Sequence, residues 1–191
     1  MALADPMAPV LVGVGEASGQ KLKESQGLEW PSTVDLASAA IGQALADSGA
    51  GEKLAASIDC LLSIRLFHDS GLPHDCGSPE NHPEAVAAAS GLDPATLLYG
   101  DVGGQSPQKH LNALACQVHA GEYKAVILSS AENVGTVKRA RRSGHELDWN
   151  QPATREMTDL RTDSDKMLTA YEWRQGIIHM PMAYGLVDNA R

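Results

Sequence analysis

Short apolar runs alternate with stretches of helical spacing along the first two thirds of the chain. In "PVLVGVGEA", starting at Pro9, Val10, Leu11, Val12 and Val14 read as a strand buried on both faces. In "PSTVDLASAAIGQALADSGA", Val34, Ala37, Ile41, Ala44 and Leu45 recur at helical spacing, with Ser32 or Thr33 to cap the start and Gly49 to mark the end. "IDCLLSIRLF", Ile58 to Phe67, predicts a second strand, and His68 to Pro83 a loop rich in Pro, Gly, Asp and Asn. A short helix over "PEAVAAASG", a third strand over "TLLYGDV", a helix from Pro107 to Ala120 and a fourth strand from Ala125 to Ser130 follow. The order β-α-β-α-β-α-β predicts an α/β fold with a mostly parallel sheet and helices on its faces.

The pattern changes after Gly135. "GTVKRARRSGHELDWNQPATREMTDLRTDSDK" is charged with little apolar period. "MLTAYEWRQG" reads as a helix carrying Met167, Leu168, Tyr171 and Trp173, and a further helix is expected after Pro181. Its pattern is cut off at Arg191, which leads us to expect that the fold continues in a further stretch of chain or in a partner.

Composition narrows the function classes. The 191 residues fit one domain, or one with an appendage. Aromatic residues make up only 4%, so the core must be built from Ala, Leu, Val and Ile. A net charge of -9 argues against a general nucleic-acid binder, and the one basic cluster, Lys138, Arg139, Arg141 and Arg142, is local. No apolar run is long enough to span a membrane, and no secretory signal is visible. Cys60, Cys76 and Cys116 are too few for a disulfide framework, so the expected compartment is the cytoplasm.

The stretch with most chemical content is the glycine turn Gly103, Gly104, Gln105, Ser106, Pro107 and Gln108 at a helix start. Free N–H groups and the helix dipole favour negative charge there. Ser106 reads as an N-cap, or as a nucleophile if a base stands nearby. Leu111, Leu114, Ala115 and Val118 make the expected buried stripe, and Gly121 the stop. Glu132 follows the fourth strand, near the sheet end where open α/β folds bind ligands, either ordering the turn or acting in chemistry. His68, His74, Cys76 and His82 are zinc-binding types in one loop, but their spacing matches no common finger; a polar surface loop is the alternative. His110 is expected to face solvent, His119 to sit at the helix end, and both to be structural. Arg139, Arg141 and Arg142 either contact phosphate or form a solvated face.

"PVLVGVGE", "ALADSGA", "IDCLLSIR", "VGGQSPQKHLNALACQVHAGEYKAVILSSAE" and "MPMAYGLVDNAR" together resemble the N-terminal half of the thiolase superfamily, nearest to its sterol-carrier-protein thiolase branch, whose members are often labelled acetyl-CoA acetyltransferases. "GGQSPQ" and the helix after it are the most specific part. The resemblance implies a layered thiolase-type α/β domain over residues 1–134 and an incomplete loop-domain-like segment over 135–191. It implies acyltransferase or carbon–carbon bond chemistry on coenzyme A thioesters in lipid metabolism, with the thioester as substrate and no bound cofactor or metal. The family's nucleophilic cysteine falls on Gln105, beside Ser106, and neither is cysteine; Cys116, about three turns into the helix, reads as a packed core thiol. Gln105 and Ser106 are therefore the candidate catalytic positions. Gly103, Gly104 and Glu132 are the candidate substrate-binding residues, and backbone N–H groups of Gly104, Gln105 and Ser106 would form an oxyanion hole. Arg139, Arg141 and Arg142 are placed where the family contacts coenzyme A. The family's second cysteine and histidine loops have no counterpart here. A homodimer, a contact of the His68–Pro83 loop with a second subunit, or a partner completing the site is expected; a non-catalytic scaffold or partner subunit is the alternative.

Overall fold

A computed structural model describes residues 5, 7–70, 74–161, 170–177 and 180–190. They form two compact units, Met1–Leu160 and Arg161–Arg191. The units divide at 160/161, and the charged stretch from Gly135 onward contributes most of a helix, Val134–Ser143, and a short strand, Thr158–Asp159, to the first of them.

The first unit contains helices α1 (Gly19–Gln26), α2 (Thr33–Asp47), α3 (Gly51–Ala55), α4 (His82–Ala89), α5 (Ser106–His119) and α6 (Val134–Ser143), with strands β1 (Ile58–Ser63), β2 (Thr96–Tyr99), β3 (Ala125–Ser129) and β4 (Thr158–Asp159). The sheet order is β3-β1-β2-β4 and every pairing is parallel, as the alternating elements led us to expect. Alternate strand residues face two cores. Leu61, Leu97 and Ile127 pack with Val34, Ala37 and Ile41 of α2 and Val86 of α4. Cys60, Leu62, Leu98, Val126 and Leu128 pack with Leu114 of α5. Helices thus cover both faces, and β1 is buried almost throughout.

Local chemistry sets the helix starts. Ser32 and Asp35 form a reciprocal capping box on α2: the Asp35 N–H donates to Ser32 Oγ at 3.1 Å and the Ser32 N–H to Asp35 Oδ2 at 2.8 Å. Asn81 caps α4 by accepting the Glu84 N–H at 3.0 Å.

Five expectations need correction. Val10, Leu11, Val12 and Val14 form no strand; they are exposed, and the Val14 N–H donates to Asp47 Oδ2 at 2.9 Å on α2. The charged segment hides α6, whose buried face is only Thr136, Val137 and Ala140, and the short strand β4. The stripe of α5 is turned by one position: Ser106, His110 and Leu114 are buried, whereas Leu111 is 43% exposed. That rotation brings His110 inside and leaves Cys116 exposed, so Cys116 is no core thiol.

The second unit holds α7 (Ala170–Arg174) and α8 (Met180–Asn189), where helices were expected. Met167 and Leu168 of the expected helix lie outside the described residues. Among the described residues no helix is long and apolar enough to cross a membrane.

Candidate functional site

The strand register assembles a polar row at the carboxyl ends of the strands. Ser63 pairs with both Tyr99 and Ser129, and Tyr99 pairs with Asp159. The hydroxyls of Ser63 and Ser129 meet at 3.1 Å. His82, the first residue of α4, is 2% exposed and sits between Ser63 Oγ (3.3 Å from Nδ1) and Thr33 Oγ1 (3.1 Å from Nε2). Burial lowers its pKa to about 4, which keeps the ring neutral. Arg65 is also buried; its guanidinium lies 4.1 Å from the Tyr99 ring centroid, donates to the Gly100 carbonyl at 3.2 Å and pairs with Asp159 at 2.5 Å.

Above this row the chain leaving β1 makes a single 3-10 turn, His68–Ser70. The Tyr99 hydroxyl donates to Asp69 Oδ2 at 2.5 Å and accepts the Leu66 N–H at 3.2 Å. His68 Nε2 lies 3.2 Å from Asp69 Oδ1, within ion-pair distance though off the line of a hydrogen bond. Burial works against the charged form of Asp69, but His68 and the Tyr99 hydroxyl outweigh it and hold the carboxyl below the ordinary range. Burial pushes Tyr99 the other way, reinforced by Asp69, so the phenol stays protonated. The His74 ring lies 4.5 Å from that of His68, and its Nδ1 accepts the Cys76 N–H at 3.3 Å. Glu132 accepts the Phe67 N–H at 2.7 Å; burial is the main cause that raises its pKa.

The glycine turn lies at the same sheet end. Gly103 has φ +116°, a backbone conformation that favours glycine; a Cβ there would stand 2.7 Å from Gln105 Oε1, the end of a side chain that can swing away. Gln105 is the N-cap of α5, and its side chain makes no capping bond. Ser106 is therefore the first helical residue, not the expected cap. It is fully buried; its hydroxyl donates to the Asp101 carbonyl at 2.8 Å and its N–H to the Gly103 carbonyl at 3.1 Å. Both of its donors thus hold the turn together. His110, expected in solvent, is 4% exposed and accepts the Asp101 N–H on Nε2 at 3.2 Å. A Cβ on Gly100 would stand 2.7 Å from that nitrogen. The buried Asp101 carboxylate pairs with Lys109 at 2.6 Å through Oδ2. The Asp101 carbonyl also accepts the Arg65 N–H at 3.3 Å, which joins the glycine turn to the chain that leads to His68.

Other expected site residues stand apart from one another. Arg139 stacks over Trp30 at 5.0 Å and donates to the Glu29 carbonyl, while Arg141 gives two hydrogen bonds to Asp75 Oδ1. Both guanidinium groups are thus already engaged, whereas Arg142 is exposed. His119 is exposed, and its Nδ1 lies 3.2 Å from the Met7 carbonyl. Among the described residues no group of three ligand side chains that could hold a metal is found, so the His68, His74, Cys76 and His82 zinc alternative is not assembled. What residue spacing alone missed is the His68–Asp69–Tyr99 chain. Its one signal was a His-Asp pair a few residues past a buried strand, with Arg65 between them.

No family model and no curated protein matches the chain. Among solved structures, a monomeric SCP2-thiolase-like protein type 1 from Mycobacterium smegmatis is similar, with 33% identity and a TM-score of 0.53. The match covers 68% of this chain and 24% of that one, so the likeness spans about a quarter of the neighbour's length. An all-parallel sheet flanked by helices, with a third of the matched residues identical to that neighbour, places this chain in the thiolase-like superfamily.

Proposed function

We propose that the chain handles acyl-coenzyme A thioesters at the glycine turn, without a cysteine acyl-enzyme. The observation that carries this reading is the uncapped start of α5: Gln105 makes no side-chain capping bond beside the left-handed Gly103. Backbone N–H groups of Gly104 and Gln105 are then the donors for a thioester carbonyl, an oxyanion-hole role. Ser106 supports the turn from below, since its hydroxyl and N–H serve Asp101 and Gly103. The chemistry in this reading is acyl transfer or carbon–carbon bond chemistry on the thioester, in lipid metabolism. Native mass spectrometry of the chain with octanoyl-coenzyme A tests it. A ligand-mass adduct that Gln105→Pro abolishes, by removing one N–H, is expected; an unchanged adduct in that variant removes the turn from the site.

A second reading is favoured by the exposed apolar residues Val10, Leu11, Val12, Val14 and Leu111. In it the chain is a non-catalytic scaffold or subunit whose partner covers these residues and completes a thiolase-like assembly. Co-purification of a second protein, with no adduct on the isolated chain, is the outcome that selects it. The similar solved protein is described as monomeric, so it lends no support to a homodimer.

A further inference from the structure

The glycine turn lacks a cysteine, yet the same sheet end carries a histidine backed by a carboxylate and a phenol. Nε2 of His68 lies 3.2 Å from Asp69 Oδ1 without the alignment of a hydrogen bond, and the carboxylate beside it favours the ring proton on Nε2 and the lone pair on Nδ1. Asp69 is fixed in turn by the Tyr99 hydroxyl, and Tyr99 by its place in β2 between β1 and β4. The His68 side chain is only 10% exposed. Glu132 holds the preceding residue, Phe67, by its N–H.

His74 adds an independent observation. Its Nδ1 accepts the Cys76 N–H, which puts its proton on Nε2. That Nε2 is buried and meets no acceptor among the described residues. Two imidazoles 4.5 Å apart thus offer one lone pair and one unpaired N–H. A water molecule, which both donates and accepts, matches such a pair.

Resting on the acyl-coenzyme A reading above, we infer that His68 is the general base for hydrolysis of a thioester by water, that His74 orients this water, and that Asp69 and Tyr99 are positioning residues for His68. The water oxygen attacks the thioester carbonyl carbon while its proton passes to His68 Nδ1. The carbonyl π pair moves onto oxygen, opposite the N–H groups of Gly104 and Gln105. When that pair returns, the C–S bond breaks, its electrons leave on sulfur, and the proton on His68 passes to the thiolate. The products are a carboxylic acid and free coenzyme A, and no oxidant, reductant or further co-substrate is needed. None of the three cysteines takes part: Cys60 and Cys76 are buried with their thiol pKa raised, Cys60 to about 11, and Cys116 lies far along α5.

The test uses the 191-residue chain with octanoyl-coenzyme A, reading thiol release against an enzyme-free blank, and a non-hydrolysable thioether analogue for affinity. His68→Gln is expected to lower kcat by about 100-fold, in the usual range for a general base, with analogue affinity unchanged. Tyr99→Phe and Asp69→Asn are expected to lower kcat by about 10-fold with KM unchanged. His119→Gln, exposed on α5, is expected to match the parent. Should His68→Gln lose its circular dichroism signal, His68→Asn and Tyr99→Phe decide the matter by the same split of kcat and KM. Normal analogue binding with no thiol release, or with full release in the His68 variants, overturns the hydrolysis inference and leaves the thioester reading standing. Absence of analogue binding overturns both.

Discussion

Lowering the pH from 7 to 5 is expected to weaken the fold through His82 by an amount that follows from its burial. The ring sits between Ser63 and Thr33 and is neutral, with its pKa moved from 6.5 to about 4. In the unfolded chain the same ring protonates below its ordinary pKa. Between the two values the unfolded state binds more protons, so stability falls as pH falls. For these two pKa values the linkage integral between pH 7 and pH 5 is a loss of about 2 kcal/mol. Asp69, whose carboxyl is held low, loses its contribution only at lower pH, as the solution is acidified through its folded pKa. The pH 5 to 7 window therefore excludes Asp69 but not Glu132, whose carboxyl is raised by burial and acts in the opposite direction as pH falls. His74 is shifted in the same direction as His82, so the comparison must be made against His82→Gln, which keeps a donor and an acceptor but cannot ionise. Urea unfolding of both proteins at pH 7 and pH 5 gives the four free energies. The parent should lose about 2 kcal/mol more than the variant. Equal losses in the two proteins would refute the argument that buried His82 stays neutral.

Three stability measurements probe the frame around the site. Gly100→Ala puts a methyl 2.7 Å from His110 Nε2 and 3.2 Å from Leu62, and should cost about 1–3 kcal/mol by overpacking in thermal unfolding. Leu61→Ala empties the centre of the sheet face covered by α2 and α4, where Leu61 is wholly buried; a loss of about 2–5 kcal/mol in denaturant unfolding is expected. Ser32→Ala removes one half of the capping box, and should lower stability by about 1 kcal/mol, a loss that Ser32→Thr largely restores.

Where apolar side chains are large and regularly spaced, the fold was legible. The runs at Ile58, Thr96 and Ala125 became β1, β2 and β3, and their alternation with helices gave a parallel sheet. The run at Val10 misled because its composition is that of a buried strand, whereas its backbone and Asp47 of α2 meet in place of a ladder. Helix α6 was hidden because its buried face is made of Thr136, Val137 and Ala140, too small to show a period among arginines. The rotation of α5 could not be read from hydrophobicity, because the interior position is taken by His110, a polar ring whose partner Asp101 is fixed only once β2 and the turn are placed. The glycine turn itself was visible as a motif. The His68–Asp69–Tyr99 chain was not, since its members come from different elements and meet only through the register of β1 and β2.

Strand β4 contributes two residues to the sheet, too few for backbone pairing alone to choose between neighbouring alignments. Asp159 is matched with Tyr99, and Arg65, from the chain just beyond β1, reaches across β2 to bind its carboxylate. The arginine thus works as a gauge pin: it admits one alignment of the edge strand, because a slip by a single residue would carry Asp159 to the other face of the sheet. The width of the sheet end is thereby set by a side chain of its interior, and an edge that would otherwise fray is closed from within.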